Sequence, residues 1–476
     1  MKQILLLPQF IFLLSCSVSA QFNIASVQDG NFKSPSTWNC NCIPLPVAVI
    51  AVNHQVVFDT SFALVTAVGH TGKITIASGA SLIQDATSRY LFIDGSGSLI
   101  NNGKFYCDSL LINNGRITNN DTFLVNTFAN LDSITNSAGA FMAVTDSFYT
   151  MGKLFNSGKL AAPTFYNGGT IINYNIITGV DSFLNNGTFT NNANGKIYAS
   201  TFYNMQTFTN KGKILQVDSL TNGGTFLNDV GSSVTVDSMI NISSFTNNGV
   251  MNINLLGNTG TYTNDDSTYF TDLLSTGTIN NNGIFIGTHD VWNAGTLNLN
   301  AGSYFFLGND FLNADSIATD AVTDIEGQLN CKNWYNADVV KGTAGHFLVE
   351  DTTWNSGSMI ETFDICDATP PAATPFIDLN FGTIAAGITY CSTVAVNEIS
   401  TAEIKIYPTI TDGLVVIETS SAGAVEIISV DGRLMDTKQL NSDYTQLNLS
   451  VLNNGIYILK INSMKGNSVG KIVIQK

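Results

Sequence analysis

Asn-Gly returns along the middle of this chain at a spacing that only a repeat fold accommodates. It occurs as Asn101-Asn102-Gly103-Lys104-Phe105, Asn113-Asn114-Gly115-Arg116-Ile117, Asn185-Asn186-Gly187-Thr188-Phe189, Asn247-Asn248-Gly249-Val250-Met251 and Asn281-Asn282-Gly283-Ile284-Phe285. Looser copies are Asn167-Gly168-Gly169, Asn222-Gly223-Gly224 and Asn293-Ala294-Gly295. A second marker, Asp-Ser-hydrophobe, sets the period. It stands at Asp108, Asp132, Asp146, Asp181, Asp218, Asp237 and Asp315. Asp218 to Asp237 is 19 residues, Asp181 to Asp218 is 37 and Asp108 to Asp146 is 38. The longer gaps are close to twice the shorter, so the unit is 18–19 residues with slippage. Self-similarity on this scale signals a repeat architecture.

Between the glycines lie short runs rich in Thr, Ile, Phe, Val and Tyr, the residues that favour strands. Asn and Gly tolerate positive φ and suit tight corners between such strands. A unit of this size with two or three short strands fits one rung of a parallel β-solenoid. The expected fold is therefore all-β, a right-handed parallel β-solenoid rod over residues 70–363 followed by a small antiparallel β-sandwich. Rungs stacked ~4.8 Å apart would give about 16 turns over about 75 Å. Asn side chains on successive rungs are expected to hydrogen-bond in ladders. The motif then makes corners rather than a ligand site.

Residues 1–20 have the pattern of an export signal, with Lys2, an apolar run Ile4–Leu14 and Val18-Ser19-Ala20 before cleavage at Gln21. Cys16 after Leu13-Leu14-Ser15 is a weaker lipoprotein-like alternative. The run is too short to span a bilayer, and no later one reaches 18 apolar residues. Net charge is −16, and residues 21–399 hold 12 basic and 29 acidic side chains. That balance lacks the footprint of nucleic-acid binding and repels anionic surfaces. Charged residues are only 12% of the chain, against about 25% in an ordinary soluble protein, so Asn, Ser and Thr form the solvated face.

Export permits disulfides. Cys366 and Cys391 flank a Pro-rich stretch and are the leading pair, and Cys40 and Cys42 suit a local bridge. Cys107 and Cys331 lie far apart along a linear solenoid and are expected to be buried and free. Residues 21–69 read as a cap with first strands, and 364–403 as a Pro-containing connector.

Residues 404–476 carry an ordered set of short motifs. They are Ile406-Tyr407-Pro408, Asp412-Gly413, Val430-Asp431-Gly432-Arg433, Leu447–Ser450, Leu452, Gly455-Ile456-Tyr457-Ile458-Leu459-Lys460 and the basic end Gly470-Lys471 to Lys476. This segment resembles the type A C-terminal sorting domain of type IX secretion. It departs from that family's Pro-Asn-Pro, having Pro408-Thr409-Ile410. The resemblance implies a β-sandwich and export by the type IX machinery to the outer surface or the medium, by way of the periplasm. It also implies removal of the domain by a sorting peptidase, attachment of the passenger to surface lipopolysaccharide, and a source among the Bacteroidota. The implied sorting residues are Pro408, Asp412, Gly413, Asp431, Gly432, Arg433, Leu452, Gly455, Tyr457, Lys460, Lys471 and Lys476. A second resemblance is carried by Asp29-Gly30-Asn31-Phe32, Ser36-Thr37-Trp38 and Cys40–Pro44. These look like the opening of surface-exported β-helix proteins, in which the Trp covers the end of the rod. Asp-Ser-hydrophobe also resembles the O-glycosylation sequon of exported proteins in this bacterial group. That reading makes Ser109, Ser133, Ser219, Ser238 and Ser316 acceptors; the alternative is that Asp-Ser only starts a strand.

Enzymatic β-helices need paired carboxylates, a basic residue or bound calcium. Candidate clusters are Asp265-Asp266, His289-Asp290, and Asp320 with Asp324 and Glu326, none with a spacing beyond turn chemistry. The four histidines, His54, His70, His289 and His346, show no Ser or Cys partner pattern. Trp292, Trp334 and Trp354 suit core packing or sugar stacking, with Trp334-Tyr335 and Trp354 about one rung apart. The function expected is a non-enzymatic secreted or surface rod (adhesin, matrix or spacer) with no catalytic site, cofactor, metal or membrane span. The alternative is a carbohydrate-active or carbohydrate-binding β-helix. The expected partners are the secretion machinery, lipopolysaccharide and glycans, with no nucleic acid.

Overall fold

A computed structural model describes residues 22–67, 70–85, 87–315, 322–391, 405–419, 423–429, 433–441, 443–463 and 466–476. The segment expected to be an export signal, residues 1–20, therefore lies outside the described residues, as do Ser316, Asp320, Asp431 and Gly432. The chain divides into two compact units, Met1–Cys391 and Ser392–Lys476.

The first unit is a parallel β-solenoid of one 19-stranded and one 27-stranded sheet. One rung shows how the sequence builds it. A four-residue strand, Thr188–Asn191, buries Phe189 and Asn191 and turns its threonines outward. After a turn, Lys196–Asn204 buries Ile197, Ala199, Phe202 and Asn204. Strict in–out alternation makes each piece a strand. The long strand breaks that alternation once: Ser200 and Thr201, both outside, separate buried Ala199 from buried Phe202. This slip turns the inward face through a corner without ending the strand. Asp181-Ser182, Asp218-Ser219 and Asp237-Ser238 occupy the same slip in their rungs. Asp-Ser is thus the signature of the third corner in these rungs. Asp132-Ser133 is an exception, since Ser133 opens the short strand Ser133–Asn136.

Each rung buries two polar side chains, and both are usually Asn. At the end of the short strands, Asn101, Asn119, Asn136, Asn156, Asn173, Asn191, Asn210, Asn228, Asn247, Asn264 and Asn281 are all 0% exposed. Each Nδ2 donates to the Oδ1 of the next, at 2.7–2.9 Å. A second ladder runs along the ends of the long strands, from Asn167 through Asn185, Asn204, Asn222 and Asn241 to Asn258. It resumes from Asn293 to Asn380. Thr150 and Ser275 substitute in it by accepting from Asn130 and Asn258. An uncharged amide can accept from one rung and donate to the next, which satisfies a buried polar group without charge. Between the ladders runs an aromatic column: Phe165, Phe183 and Phe202 stack at 4.9 and 4.6 Å with rings 6° apart.

The motif Asn-Asn-Gly can now be read residue by residue. The first Asn joins a ladder, the second faces solvent, and the Gly lies against the rung beneath it. A Cβ on Gly187 would sit 2.2 Å from the Gly169 carbonyl oxygen. Close approach, rather than the positive φ expected from the sequence, is what demands glycine at this corner. Positive φ occurs instead at loop glycines such as Gly79, Gly139 and Gly231.

The stack is longer than residues 70–363. Asn23–Ala25 pairs in parallel with Val49–Val52, and Val49–Val52 with Lys73–Ile76. At the far end Asp364–Asp367 pairs with Thr389–Tyr390, so the segments read as cap and connector both contribute rungs. Trp38 is buried against Phe32, 5.3 Å between ring centres, and its Nε1 donates to the Phe32 carbonyl at 2.8 Å. Disulfides join Cys40 to Cys42 and Cys366 to Cys391. Cys107 and Cys331 are free and buried, and burial pushes the Cys107 thiol up to about 11.

The second unit is a two-sheet sandwich. Three antiparallel strands, Lys405–Tyr407, Leu414–Thr419 and Asp443–Asn448, form one sheet. The other is five-stranded and antiparallel except that Ile410–Thr411 runs parallel to Val473–Ile474. Val415, Ile417, Val425, Ile427, Leu459 and Ile472 fill the core between them. No described helix is long and apolar enough to cross a membrane.

Candidate functional site

Along the outer face of the solenoid, the positions three and one residues before each second-ladder position stack into two columns. In the first column Leu255 pairs with Asp272, then come Asp290, Asp310 and Asn333, one per rung. In the second, Leu274, Trp292, Leu312, Tyr335 and Trp354 follow one another. All of these but Asn333 line an open groove of about 410 Å³. The carboxylates are tied to their neighbours. Asp272 Oδ1 accepts from His289 Nδ1 at 2.7 Å and from the Asp290 backbone N–H at 3.0 Å. Asp290 Oδ1 accepts from Asn309 Nδ2 at 2.7 Å and from the Asp310 N–H at 3.2 Å. Asp310 Oδ1 accepts from Asn333 Nδ2 at 2.7 Å. Partial burial pushes the Asp272 carboxyl up, but the bonds from His289 and the Asp290 N–H outweigh it and hold it below the usual range. The same bond, with the Asp290 charge, raises the His289 imidazole.

The tryptophans divide. Trp334 points inward, fully buried and edge-on to Phe347 at 5.2 Å. The register pairs Trp354 with Tyr335, ring centres 6.3 Å apart, instead of with Trp334. Trp292 is 40% exposed, and its Nε1 donates to the Ala314 carbonyl at 2.7 Å, which fixes the indole against the sheet. Of this groove the sequence singles out His289-Asp290, Trp292, Tyr335 and Trp354. Asp272 and Asp310 were missed because neither precedes a serine. Aligning rungs on the ladder residues Ser275, Asn293, Asn313 and Asn336 would have found them.

The other expected clusters are structural. Asp265 accepts from Asn282, and Asp266 from Ser267. Asp324 pairs with Lys341 at 2.9 Å, and Glu326 caps Thr343. His346 lies 3.1 Å from Asp364. One histidine has a serine neighbour: Ser26 Oγ lies 3.0 Å from His54 Nδ1. Ser26 is only 3% exposed and already accepts the Asn53 N–H, so this contact fastens a rung. Ser219 and Ser238 stand opposite each other on adjacent rungs, half-buried. Leu110, not Ser109, holds the equivalent position in Lys104–Asn113, and Ser133 opens a short strand, so the Asp-Ser serines do not all form one column.

In the second unit several motif residues converge on one end. Gly413 has φ +134°, and a Cβ there would meet Ser450 Cα at 2.6 Å. Leu452 is buried in the turn that follows Ser450. Lys476 reaches back to this turn, its Nζ donating to the carbonyls of Ser450 and Leu452 and its backbone N–H to Asn454. Tyr457 donates its hydroxyl to the Asn453 carbonyl at 3.0 Å, and Gly455 pairs with Ile474. Pro408 joins the strands Lys405–Tyr407 and Ile410–Thr411, and Asp412 is exposed beside Gly413. Lys471 stands opposite Ile458, and Lys460 lies 3.9 Å from Glu426. The Arg433 carbonyl closes a turn onto the Ser429 N–H. These last three are not part of the converged end. Replacing Gly413 by Ala should cost the domain roughly 1–3 kcal/mol, because an L-residue is strained there and meets backbone. Denaturation of the purified protein would show it, and an unchanged sandwich transition would refute it.

No curated protein matches the chain. Residues 405–475, in contrast, match the secretion system C-terminal sorting domain, so this chain carries a type IX sorting tail that directs it to the cell surface or the medium.

Proposed function

We propose that the tail delivers a non-enzymatic repeat rod that serves outside the cell as an adhesin, matrix or spacer element. One observation supports this most: the three stacked carboxylates of the groove each spend an oxygen on holding the next rung. Asp272 is moreover held ionised, the opposite of what a general acid needs. Anchorage through surface lipopolysaccharide after tail removal belongs to the same reading.

A spacer can lose rungs. Thr188, Thr207 and Thr225 occupy equivalent positions, so deleting residues 188–224 removes two rungs and joins Gly187 to Thr225 in register. The shortened protein is expected to fold, be exported and keep its melting temperature within a few degrees, since stability in a solenoid is a sum over neighbours. An enzyme reading would be favoured if the intact protein released reducing ends from a polysaccharide and Asp290→Asn with Asp310→Asn abolished the release.

A further inference from the structure

The geometry points to an extended, uncharged polysaccharide as the ligand of the groove between Leu255 and Trp354. This names the target of the proposed surface rod and rests on that reading. Three features carry it. First, Leu274, Trp292, Leu312, Tyr335 and Trp354 form an outward line with one apolar or aromatic side chain per rung. Rungs repeat every ~4.8 Å, close to the length of one sugar in an extended, equatorially linked hexose chain. Such a chain laid along the line sets successive C–H faces over successive side chains. Trp292 is already held flat by its bond to Ala314, so little side-chain freedom is lost on binding.

Second, a column of hydrogen-bond acceptors runs beside the apolar one at the same repeat. In Asp272, Asp290 and Asp310 the Oδ1 atom holds the neighbouring rung. Oδ2 is thereby aimed and left to accept from ligand hydroxyls, with His289 Nδ1 3.4 Å from that of Asp290. Apolar faces beside a few fixed polar groups are the usual make-up of a small-molecule or sugar site. Third, the charge selects the ligand. Three carboxylates in a passenger with 29 acidic and 12 basic residues repel anionic polymers and also a second copy of this chain. A neutral polymer incurs no such cost.

The full-length secreted protein should be run through native gels containing soluble β-linked glucan, mannan or xylan, with polygalacturonate and a plain gel as controls. At least one neutral polymer is expected to retard it, and polygalacturonate is not. Trp292→Ala with Trp354→Ala should weaken retardation at least about tenfold. Both side chains face outward, so the circular dichroism and melting temperature of the double variant should match the parent. Loss of the proposal follows from any of three results: no retardation by the neutral polymers, equal retardation of the double variant, or preference for polygalacturonate. Retardation accompanied by new reducing ends would instead sink the non-enzymatic reading while leaving the ligand assignment in place.

Discussion

A chain ending at residue 403 is expected to remain inside the cell, with surface and medium signal falling from most of the protein to background. The tail has its own sheets and its own core, built from Val415, Ile417, Val425, Ile427 and Leu459 among others. The first unit ends at Cys391, so removing the tail takes away none of its core. Retention would then report lost sorting rather than misfolding. Fractionation and surface proteolysis of the native bacterium, with circular dichroism on the truncated protein, separate the two. Undiminished surface display would overturn the role of the tail, and a melted solenoid would show that the units depend on each other. Gly413→Ala is the milder companion, since it strains the converged end without removing it.

Replacing Asn204 by Asp is expected to destabilise the solenoid by about 3–5 kcal/mol at neutral pH, the scale of an uncompensated buried charge. Asn204 is fully buried. It accepts from Asn185 at 2.7 Å and donates to Asn222 Oδ1 and to the carbonyls of Gln206 and Thr225. A carboxylate keeps the acceptor role but turns all three donations into oxygen–oxygen repulsions. Burial with only the Asn185 amide donating raises the folded-state pKa of that Asp above its unfolded value of about 3.9. The deficit should therefore be constant above the folded pKa and shrink as pH falls from that value toward about 3.9. Asn204→Thr should cost only about 1–2 kcal/mol, because a hydroxyl can still accept and donate once. Thr150 already accepts in this way, from Asn130, at an equivalent position. Urea denaturation across pH decides the matter. If the Asp variant unfolds with the parent at neutral pH, the amide ladders contribute nothing, and backbone pairing with the apolar core holds the stack.

Much of this is legible in the sequence once the rung is known. Period-2 alternation in Thr188–Asn191 and Lys196–Asn204 makes strands, and the one-residue slip at Asp-Ser makes a corner. The sorting motifs are short, local and ordered, so they could be read without knowing how the sandwich closes. Other features were not legible, for separable reasons. Glycine at Asn-Asn-Gly answers to the carbonyl of the rung beneath, a contact made some 18 residues away in sequence. The acidic and aromatic columns depend on rung lengths that vary from 17 to 25 residues between ladder partners. Fixed-period counting therefore places Trp354 about one rung from Trp334-Tyr335 without choosing between them, and the register sets it against Tyr335. Thr150 and Ser275, the last residues of the strands Phe141–Thr150 and Ser267–Ser275, also hide two ladder positions because neither is Asn.

By itself the sequence determined that this chain repeats, that its repeat is a β-rung, and that its last segment is an export address. Each follows from local spacing and side-chain type, which need no knowledge of distant neighbours. Tertiary structure alone decided which outward residues meet. Asp272, Asp290 and Asp310 lie in three different rungs, and only parallel stacking ~4.8 Å apart places them and the aromatic line in one groove. Loop length fixes that register through a hydrogen-bond ladder, and no single rung contains it.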